Sequence, residues 1–87
     1  MYTVNYTSSA KKDLMKLPSD MQERIRYAIE ELQENPRHRG VEKLTTSSKS
    51  QEYRIRVGNY RVKFLIHDVL SRNYFALTMM IVIPYLL

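Results

Sequence analysis

The chain has 87 residues, a formal net charge of +5 and no cysteine. This length predicts one domain with a modest core over residues 1–87, and the lack of cysteine excludes disulfides and thiolate metal sites. The N-terminus lacks the apolar core of a secretory signal. The apolar stretch at residues 75–87 is shorter than the roughly 20 residues that span a bilayer, so we expect a cytoplasmic protein.

The positive charge is unevenly distributed along the chain. Residues 1–35 contain five Lys and Arg against six Asp and Glu, whereas residues 36–87 contain nine against three. The second part of the chain therefore carries the whole excess. Such a distribution favours a polyanionic partner, such as a nucleic acid, or an acidic protein.

The first predicted elements are a short strand and a helix. Residues 2–6 alternate well enough for a strand. Three residues that can cap a helix follow: Thr7, Ser8 and Ser9. Ala10, Leu14 and Leu17 then recur at helical spacing, and Pro18 interrupts the helix.

A second helix is predicted next. Ser19 and Gln22 fit a capping box, with Ser19 as the N-cap and Gln22 at the third helical position. The apolar residues of this helix form one stripe: Met21, Ile25, Ala28, Ile29 and Leu32. Asn35-Pro36 ends the helix. The two helices, joined at Leu17-Pro18, are predicted to form a helical hairpin.

Three strands are predicted in the remaining sequence, at residues 52–57, 60–67 and 74–83. A polar loop precedes them at residues 37–51, and Val41 and Leu44 are expected to anchor it to the core. Residues 75–87 are apolar at both odd and even positions, which is typical of a central strand buried on both faces of the sheet. Alternatively, part of this stretch offers an edge or groove to a partner segment.

Gly58-Asn59 lies between two alternating runs and predicts a two-residue hairpin turn. This turn sets the register of six cross-strand pairs. The pairs on the apolar side are Val57–Tyr60, Ile55–Val62 and Tyr53–Phe64. The pairs on the other side are Arg56–Arg61, Arg54–Lys63 and Glu52–Leu65.

Two successive pairs on this second side are cationic. Like charges directly opposite each other on antiparallel strands are destabilising, by a few tenths to about 1 kcal/mol per pair. A surface selected for folding alone would mix the signs, so we interpret it as a binding or catalytic surface that an anion completes. The alternative is an ordinary exposed face on which arginine stems cover apolar area.

Four segments, in chain order, carry a resemblance to a known family: the first strand, KKDLMKLP, EELQENP and YRIRVGNYRVKFLIHD. Through them, residues 1–70 resemble the RelE/ParE toxin superfamily, and its RelE branch more closely. The resemblance implies an α+β fold of the microbial-ribonuclease type, with an N-terminal strand and a helical hairpin packed on a twisted antiparallel sheet. It also implies the toxin of a type II toxin–antitoxin system, which binds a cognate antitoxin and inhibits translation by cleaving mRNA on the ribosome.

The resemblance further implies a reaction without metal or cofactor, in which the ribose 2′-OH attacks the adjacent phosphate and leaves a cyclic phosphate. Arg54, Arg56 and Arg61 match basic hairpin positions of the family and would stabilise the negative charge of the phosphorane. Tyr85 is the only tyrosine near the position of the family's C-terminal tyrosine. The residues expected to contact nucleic acid are Lys11, Lys12, Arg37, Arg39 and Lys63.

The sequence departs from the RelE pattern at its end. RelE relatives close the last strand with a His/Lys-Arg pair and a nearby tyrosine, whereas this chain reads IVIPYLL, with no basic residue after Arg72. Whether the protein is an enzyme is therefore left open. Two alternatives stand beside the endoribonuclease: a ParE-like gyrase inhibitor, and a catalytically degenerate toxin that only binds its antitoxin.

Three further side chains are candidates for chemistry. Glu52 and His67 share the strand parity of the cations and could act in acid–base steps, although a local ion pair and a surface histidine are the simpler interpretations. His38 lies in the polar loop and suits a phosphate contact. Two histidines in unrelated elements do not predict a metal site.

Overall fold

The computed structural model describes residues 1–44, 52–69 and 74–84. Its elements, in chain order, are β1 (Thr3–Tyr6), α1 (Ser8–Met15), α2 (Ser19–Glu34), β2 (Val41–Lys43), β3 (Glu52–Val57), β4 (Tyr60–Val69) and β5 (Tyr74–Pro84). The predicted α+β class is confirmed, and the four predicted strands are present. Within the described ranges, neither helix is long and apolar enough to cross a membrane.

The first of the three predicted capping residues, Thr7, is the N-cap of helix α1. The Thr7 hydroxyl accepts a hydrogen bond from the Ala10 N–H at 3.1 Å, and the Thr7 backbone is extended. The helix ends with Lys16 as its C-cap, before Pro18. Ala10 is fully buried, so this helix is held by the core through its first turn.

Helix α2 begins one residue earlier than predicted, and the predicted capping box is wrong. The Pro18 carbonyl accepts the Gln22 N–H at 3.0 Å, so Pro18 is the N-cap and Ser19 is already inside the helix. The Gln22 side chain donates to the Leu17 carbonyl at 2.9 Å. Asn35 ends the helix as predicted, and its N–H donates to the Glu31 carbonyl at 3.0 Å.

The five strands form one sheet in the order β1-β5-β4-β3-β2. Three of the four pairings are antiparallel, but β1 pairs with β5 in parallel. The sheet is therefore mixed, whereas an antiparallel sheet was expected. Parallel neighbours need a long crossover connection, and the rest of the chain supplies it because β1 and β5 are the first and last strands. The Tyr2 N–H also donates to the Gln33 carbonyl at 2.9 Å, which ties the start of the chain to the end of α2.

Strand β5 lies between β1 and β4, in agreement with the predicted central strand. Ala76 and Leu77 are adjacent, so their side chains lie on opposite faces of the sheet, and both are fully buried. Because β1 and β4 cover both of its edges over residues 76–79, this part of β5 presents no free edge to a partner.

Strand β2 lies within residues 37–51, for which the sequence pattern predicts a loop and no strand. Val41, Glu42 and Lys43 pair with Ile55, Arg54 and Tyr53, respectively. Three residues are too few for an alternating pattern to be recognised in the sequence. Val41 packs against the core as expected, while residues 45–51 of the predicted loop lie outside the described residues.

The core lies between the helices and one face of the sheet. Its buried residues come from α1, α2, β3, β4 and β5: Ala10, Ile25, Ile29, Leu32, Tyr53, Ile55, Val57, Val62, Phe64, Ile66, Leu77 and Met79. The rings of Tyr53 and Phe64 stack with centroids 6.0 Å apart. The apolar stripe predicted for α2 and the apolar side predicted for the hairpin therefore meet in one core.

Candidate nucleic-acid interface

The β3–β4 hairpin has the register predicted from its turn. All six predicted pairs are present, from Glu52 opposite Leu65 to Val57 opposite Tyr60. Gly58 has a φ of +58°, a conformation that L side chains rarely adopt. The turn therefore directs the apolar side chains of both strands to the core and leaves the intervening residues on the face opposite the helices, which we call the outer face.

Four basic residues of the hairpin share the outer face, and we call them the cationic patch: Arg54, Arg56, Arg61 and Lys63. Arg56 lies directly opposite Arg61, and Arg54 lies directly opposite Lys63. The two pairs are two residues apart along each strand, a distance of about 7 Å. Arg56 is exposed and the other three are half-buried. The sheet thus holds four positive side chains in a small area.

Hydrogen bonds orient two of these arginines. The Arg56 Nε donates to the Gly58 carbonyl at 3.1 Å, which holds this side chain beside the turn. The Arg54 Nε and Nη2 lie 3.0 and 2.9 Å from the Glu42 Oε2. One cation of the patch is therefore already paired with a carboxylate of the protein itself. Sequence reasoning missed Glu42 because it missed β2, the strand that places it opposite Arg54.

The two acid–base candidates lie farther along the outer face. Glu52 is half-buried and lies one pair beyond Arg54, opposite Leu65. The His67 Nε2 is 2.9 Å from the Thr78 Oγ1 of β5. His67 is six residues from Arg61 along β4, which corresponds to about 20 Å, so one phosphate cannot contact both side chains.

The other predicted contacts to nucleic acid lie away from the cationic patch. Lys11 and Lys12 are exposed on α1, which packs on the opposite side of the sheet. The Arg37 guanidinium lies 5.7 Å from the ring centroid of Tyr53, a core residue, and Arg39 is exposed in the same loop. The structure therefore does not join these four residues to one surface with the hairpin arginines, and only Lys63 is brought to them. Tyr85 lies outside the described residues.

One cation near the turn was not predicted. A β-carbon at position 58 would lie 3.1 Å from the Arg24 Nη1, so the Arg24 side chain reaches the hairpin turn from α2. The sequence contains no signal for this contact, because Arg24 is an ordinary exposed position of an amphipathic helix. Only the packing of α2 on the hairpin brings it there.

An open groove of about 1050 Å³ lies on the helix side of the sheet. Its lining includes Ala28, Ile55 and Val57, and it also includes Arg56, the residue of the patch next to the β3–β4 turn. The remaining members lie spread over two strands of the outer face. This arrangement suits contact with an extended polyanion, whereas small molecules are usually bound within a concave, mostly apolar pocket.

The chemistry available in the cationic patch is charge stabilisation. Guanidinium groups donate several hydrogen bonds to phosphate oxygens and stay protonated, so they stabilise negative charge but do not remove a proton. Across residues 1–44, 52–69 and 74–84, no three His, Asp or Glu side chains are placed to hold a metal ion.

Comparisons with known proteins agree with this fold. The sequence model of the family described as the ParE toxin of the type II toxin–antitoxin system parDE matches residues 4–71. No curated protein sequence matches the chain. The fold is that of RelE toxins, as the structural comparisons show. The chain belongs to the RelE/ParE superfamily of type II toxins, through its match to the ParE toxin family.

Three solved structures illustrate the structural similarity. RelE in the archaeal RelE–RelB complex from Pyrococcus horikoshii superimposes with a TM-score of 0.80 at 24% identity, covering 97% of this chain and 94% of that chain. The toxin–antitoxin complex RelBE2 from Mycobacterium tuberculosis gives a TM-score of 0.75 at 26% identity, covering 95% of this chain and 96% of that chain. The isolated E. coli RelE toxin gives a TM-score of 0.73 at 21% identity, covering 100% of this chain and 87% of that chain.

Proposed function

We propose that this toxin is a ribosome-dependent mRNA endoribonuclease, formed by a single domain over residues 1–87 and acting in the cytoplasm. The observation that carries the proposal is the cationic patch, where two cross-strand pairs of like charge stand next to each other. The repulsion in the Arg56–Arg61 pair opposes folding by up to about 1 kcal/mol. In the Arg54–Lys63 pair the Glu42 carboxylate, 2.9 Å from Arg54, offsets part of the repulsion. An external polyanion that neutralises the patch relieves this repulsion, and an RNA backbone has the required charge.

The proposed reaction follows from what arginine can do. The ribose 2′-oxygen attacks the adjacent phosphorus, its proton is removed, and the 5′-oxygen of the next nucleotide leaves and takes up a proton. The products are a 2′,3′-cyclic phosphate and a 5′-hydroxyl. Arg54, Arg56 and Arg61 stabilise the extra negative charge of the phosphorane, while deprotonation of the 2′-OH depends on another group or on the arrangement of the RNA in the ribosome.

An antitoxin is the second partner in this proposal. The RelE chains from Pyrococcus horikoshii and Mycobacterium tuberculosis were solved as complexes with their antitoxins. We expect that this toxin is likewise held inactive by a cognate antitoxin. Co-expression with the product of a neighbouring short reading frame should yield a co-purifying pair, and loss of growth arrest in that pair would support inhibition.

Cleavage on translating ribosomes tests the enzymatic proposal. Wild-type protein should cut mRNA in the ribosomal A site, and Arg61→Ala should cut roughly 100-fold more slowly, because one charge-stabilising group is lost. The matched control is Lys43→Ala, which removes an exposed cation. Lys43 follows Glu42 on β2, so its side chain lies on the other face of the sheet from the cationic patch. It should cut at the wild-type rate.

Folding must be measured alongside cleavage. Arg61→Ala should change the free energy of unfolding by less than about 1 kcal/mol, since it also removes half of a like-charge pair. Absence of cuts with folded wild-type protein, or equal cutting by Arg61→Ala, would contradict the proposal.

Inhibition of DNA gyrase is a second candidate function, because the matching family model is that of ParE toxins. The same protein preparations should be assayed for inhibition of gyrase supercoiling. Inhibition without RNA cleavage would select this function. If the protein does neither, binds an antitoxin and fails to arrest growth, it is a degenerate toxin that has kept only the binding function.

A further inference from the structure

The contact between Glu42 and Arg54 occupies one particular edge of the guanidinium. Both Nε and Nη2 of Arg54 approach the same carboxylate oxygen, Oε2, at 3.0 and 2.9 Å. The Arg54 side chain is 27% exposed, whereas that of Glu42 is 62% exposed. The carboxylate is therefore the more solvent-exposed partner, and it contacts the Nε–Nη2 edge of the guanidinium.

Among the described residues, the Arg54 side chain is bonded to Glu42 through this edge, and the rest of its guanidinium can take another ligand. Of the five N–H donors of an arginine, two are on this edge, and the remaining three belong to Nη1 and to the outer side of Nη2. The Nη1–Nη2 edge is a planar fork that matches two oxygens of a phosphate. A phosphate can therefore bind Arg54 on this edge while Glu42 stays in place.

We propose that Glu42 is a positioning residue for Arg54, which holds the guanidinium so that its Nη1–Nη2 edge is presented to an RNA phosphate. The inference rests on the proposed function. The Glu42 carboxylate then has two opposing effects. The hydrogen bonds fix the orientation of Arg54 in the transition state, whereas the negative charge of Glu42 repels the phosphate and weakens binding of the substrate.

These opposing effects predict a separation of the kinetic constants. Glu42→Gln keeps the length of the side chain but removes its charge, so the hydrogen bonds to Arg54 weaken and the repulsion disappears. The KM for ribosome-bound mRNA should fall about twofold to threefold, while the kcat for cleavage should fall about tenfold, because the guanidinium is no longer held. A residue that merely supports the fold would not lower both constants.

A double-mutant comparison tests whether Glu42 acts through Arg54. In an Arg54→Ala background, Glu42→Gln should leave kcat unchanged, because the group that it positions is absent. The matched control is Glu30→Gln. Glu30 also pairs with an arginine, Arg26, at 2.9 Å, but on the exposed surface of α2. This control should leave both kinetic constants at their wild-type values.

A spectroscopic measurement separates this inference from the proposed function. In ¹⁵N-labelled protein, the Nε–H of Arg54 should exchange with solvent several-fold more slowly in the wild type than in the Glu42→Gln variant. Binding of a 2′-O-methyl RNA oligonucleotide, which cannot be cleaved, should tighten in Glu42→Gln and depend more steeply on salt. If wild-type protein cuts no mRNA but both results hold, the positioning inference stands and the ribonuclease proposal fails.

The inference is overturned by any of three results. They are an unchanged kcat in Glu42→Gln, an equal loss of kcat in the Arg54→Ala background, or an Arg54 Nε–H that exchanges at the same rate with and without the Glu42 carboxylate. Thermal unfolding of each variant confirms that a lowered kcat does not reflect a loss of folded protein.

Discussion

The hydroxyl of Thr7 accepts the Ala10 N–H at 3.1 Å and satisfies a donor that the first turn of α1 leaves without an intrahelical partner. Ser8 and Ser9 carry the same chemical group but lie inside the helix. All three residues can form such a bond, so the sequence alone narrowed the N-cap to a short segment. The extended backbone of Thr7 at the end of β1 then selected one of them.

Tyr6, the preceding residue, gives a prediction about pH. Burial raises the pKa of its phenol above the ordinary value of about 10. The folded state therefore keeps the proton at a pH where the unfolded chain has already lost it. The stability associated with Tyr6 is complete below about pH 10 and is lost as the pH rises through the higher pKa of the folded state.

The measurement is the free energy of unfolding in urea between about pH 9 and 11. We expect a smaller decline with pH in Tyr6→Phe than in wild-type protein, because this partly buried phenol no longer titrates. Tyr27→Phe, which removes a tyrosine that is more exposed (55% against 38% for Tyr6), is the matched control and should keep the wild-type decline. Identical slopes for Tyr6→Phe and wild type would contradict the assignment.

At the scale of elements, the hairpin turn determines the outer face. The positive φ of Gly58 allows two residues to connect β3 and β4, and the resulting register places Arg56 opposite Arg61. A register shift of one residue would exchange the apolar and cationic sides of a strand. The turn therefore links the core and the cationic patch.

We expect Gly58→Ala to lower the free energy of unfolding by about 1–2 kcal/mol or more, because an L side chain is disfavoured at this φ. The added β-carbon would also lie 3.0 Å from the Met21 Cε. Gly40→Ala is the control, since a β-carbon there meets only the flexible His38 side chain, at 3.0 Å, and its loss should be smaller. Equal losses in urea denaturation would show that the turn conformation is not the cause.

At the scale of the whole molecule, the charge asymmetry of the sequence becomes a spatial one. The basic second part of the chain forms the hairpin, and four of its cations share the outer face. Helix α2 carries carboxylates on the opposite side of the sheet, and two of them, Glu23 and Glu30, pair with Arg26. A polyanion approaching the protein therefore meets its positive side at the hairpin.

This arrangement predicts opposite effects of salt on RNA binding and on folding. Binding of single-stranded RNA should weaken with salt, with a slope of log K against log salt of about −0.7 for each phosphate neutralised. Contacts through two to four cations would give slopes between about −1.4 and −2.8. The free energy of unfolding should instead rise slightly with salt, because the repulsion between the paired cations is screened. Affinity that is independent of salt would exclude a role for the cationic patch.

The sequence by itself determined the local structure and the hairpin. Helical spacing, prolines and the Gly58-Asn59 dipeptide act over a few residues, so they defined both helices and the cross-strand pairs of β3 and β4 without knowledge of the rest of the chain. The candidate arginines followed from the same register, since alternate residues of a strand lie on one face.

Only the tertiary structure decided which distant segments meet. It placed β1 parallel to β5, formed β2 against the edge of β3, and brought Glu42 to Arg54 and Arg24 to the turn. None of these contacts leaves a local pattern in the sequence. Each depends on how the chain buries its apolar side chains in one core, and many polar arrangements are compatible with the same apolar spacing.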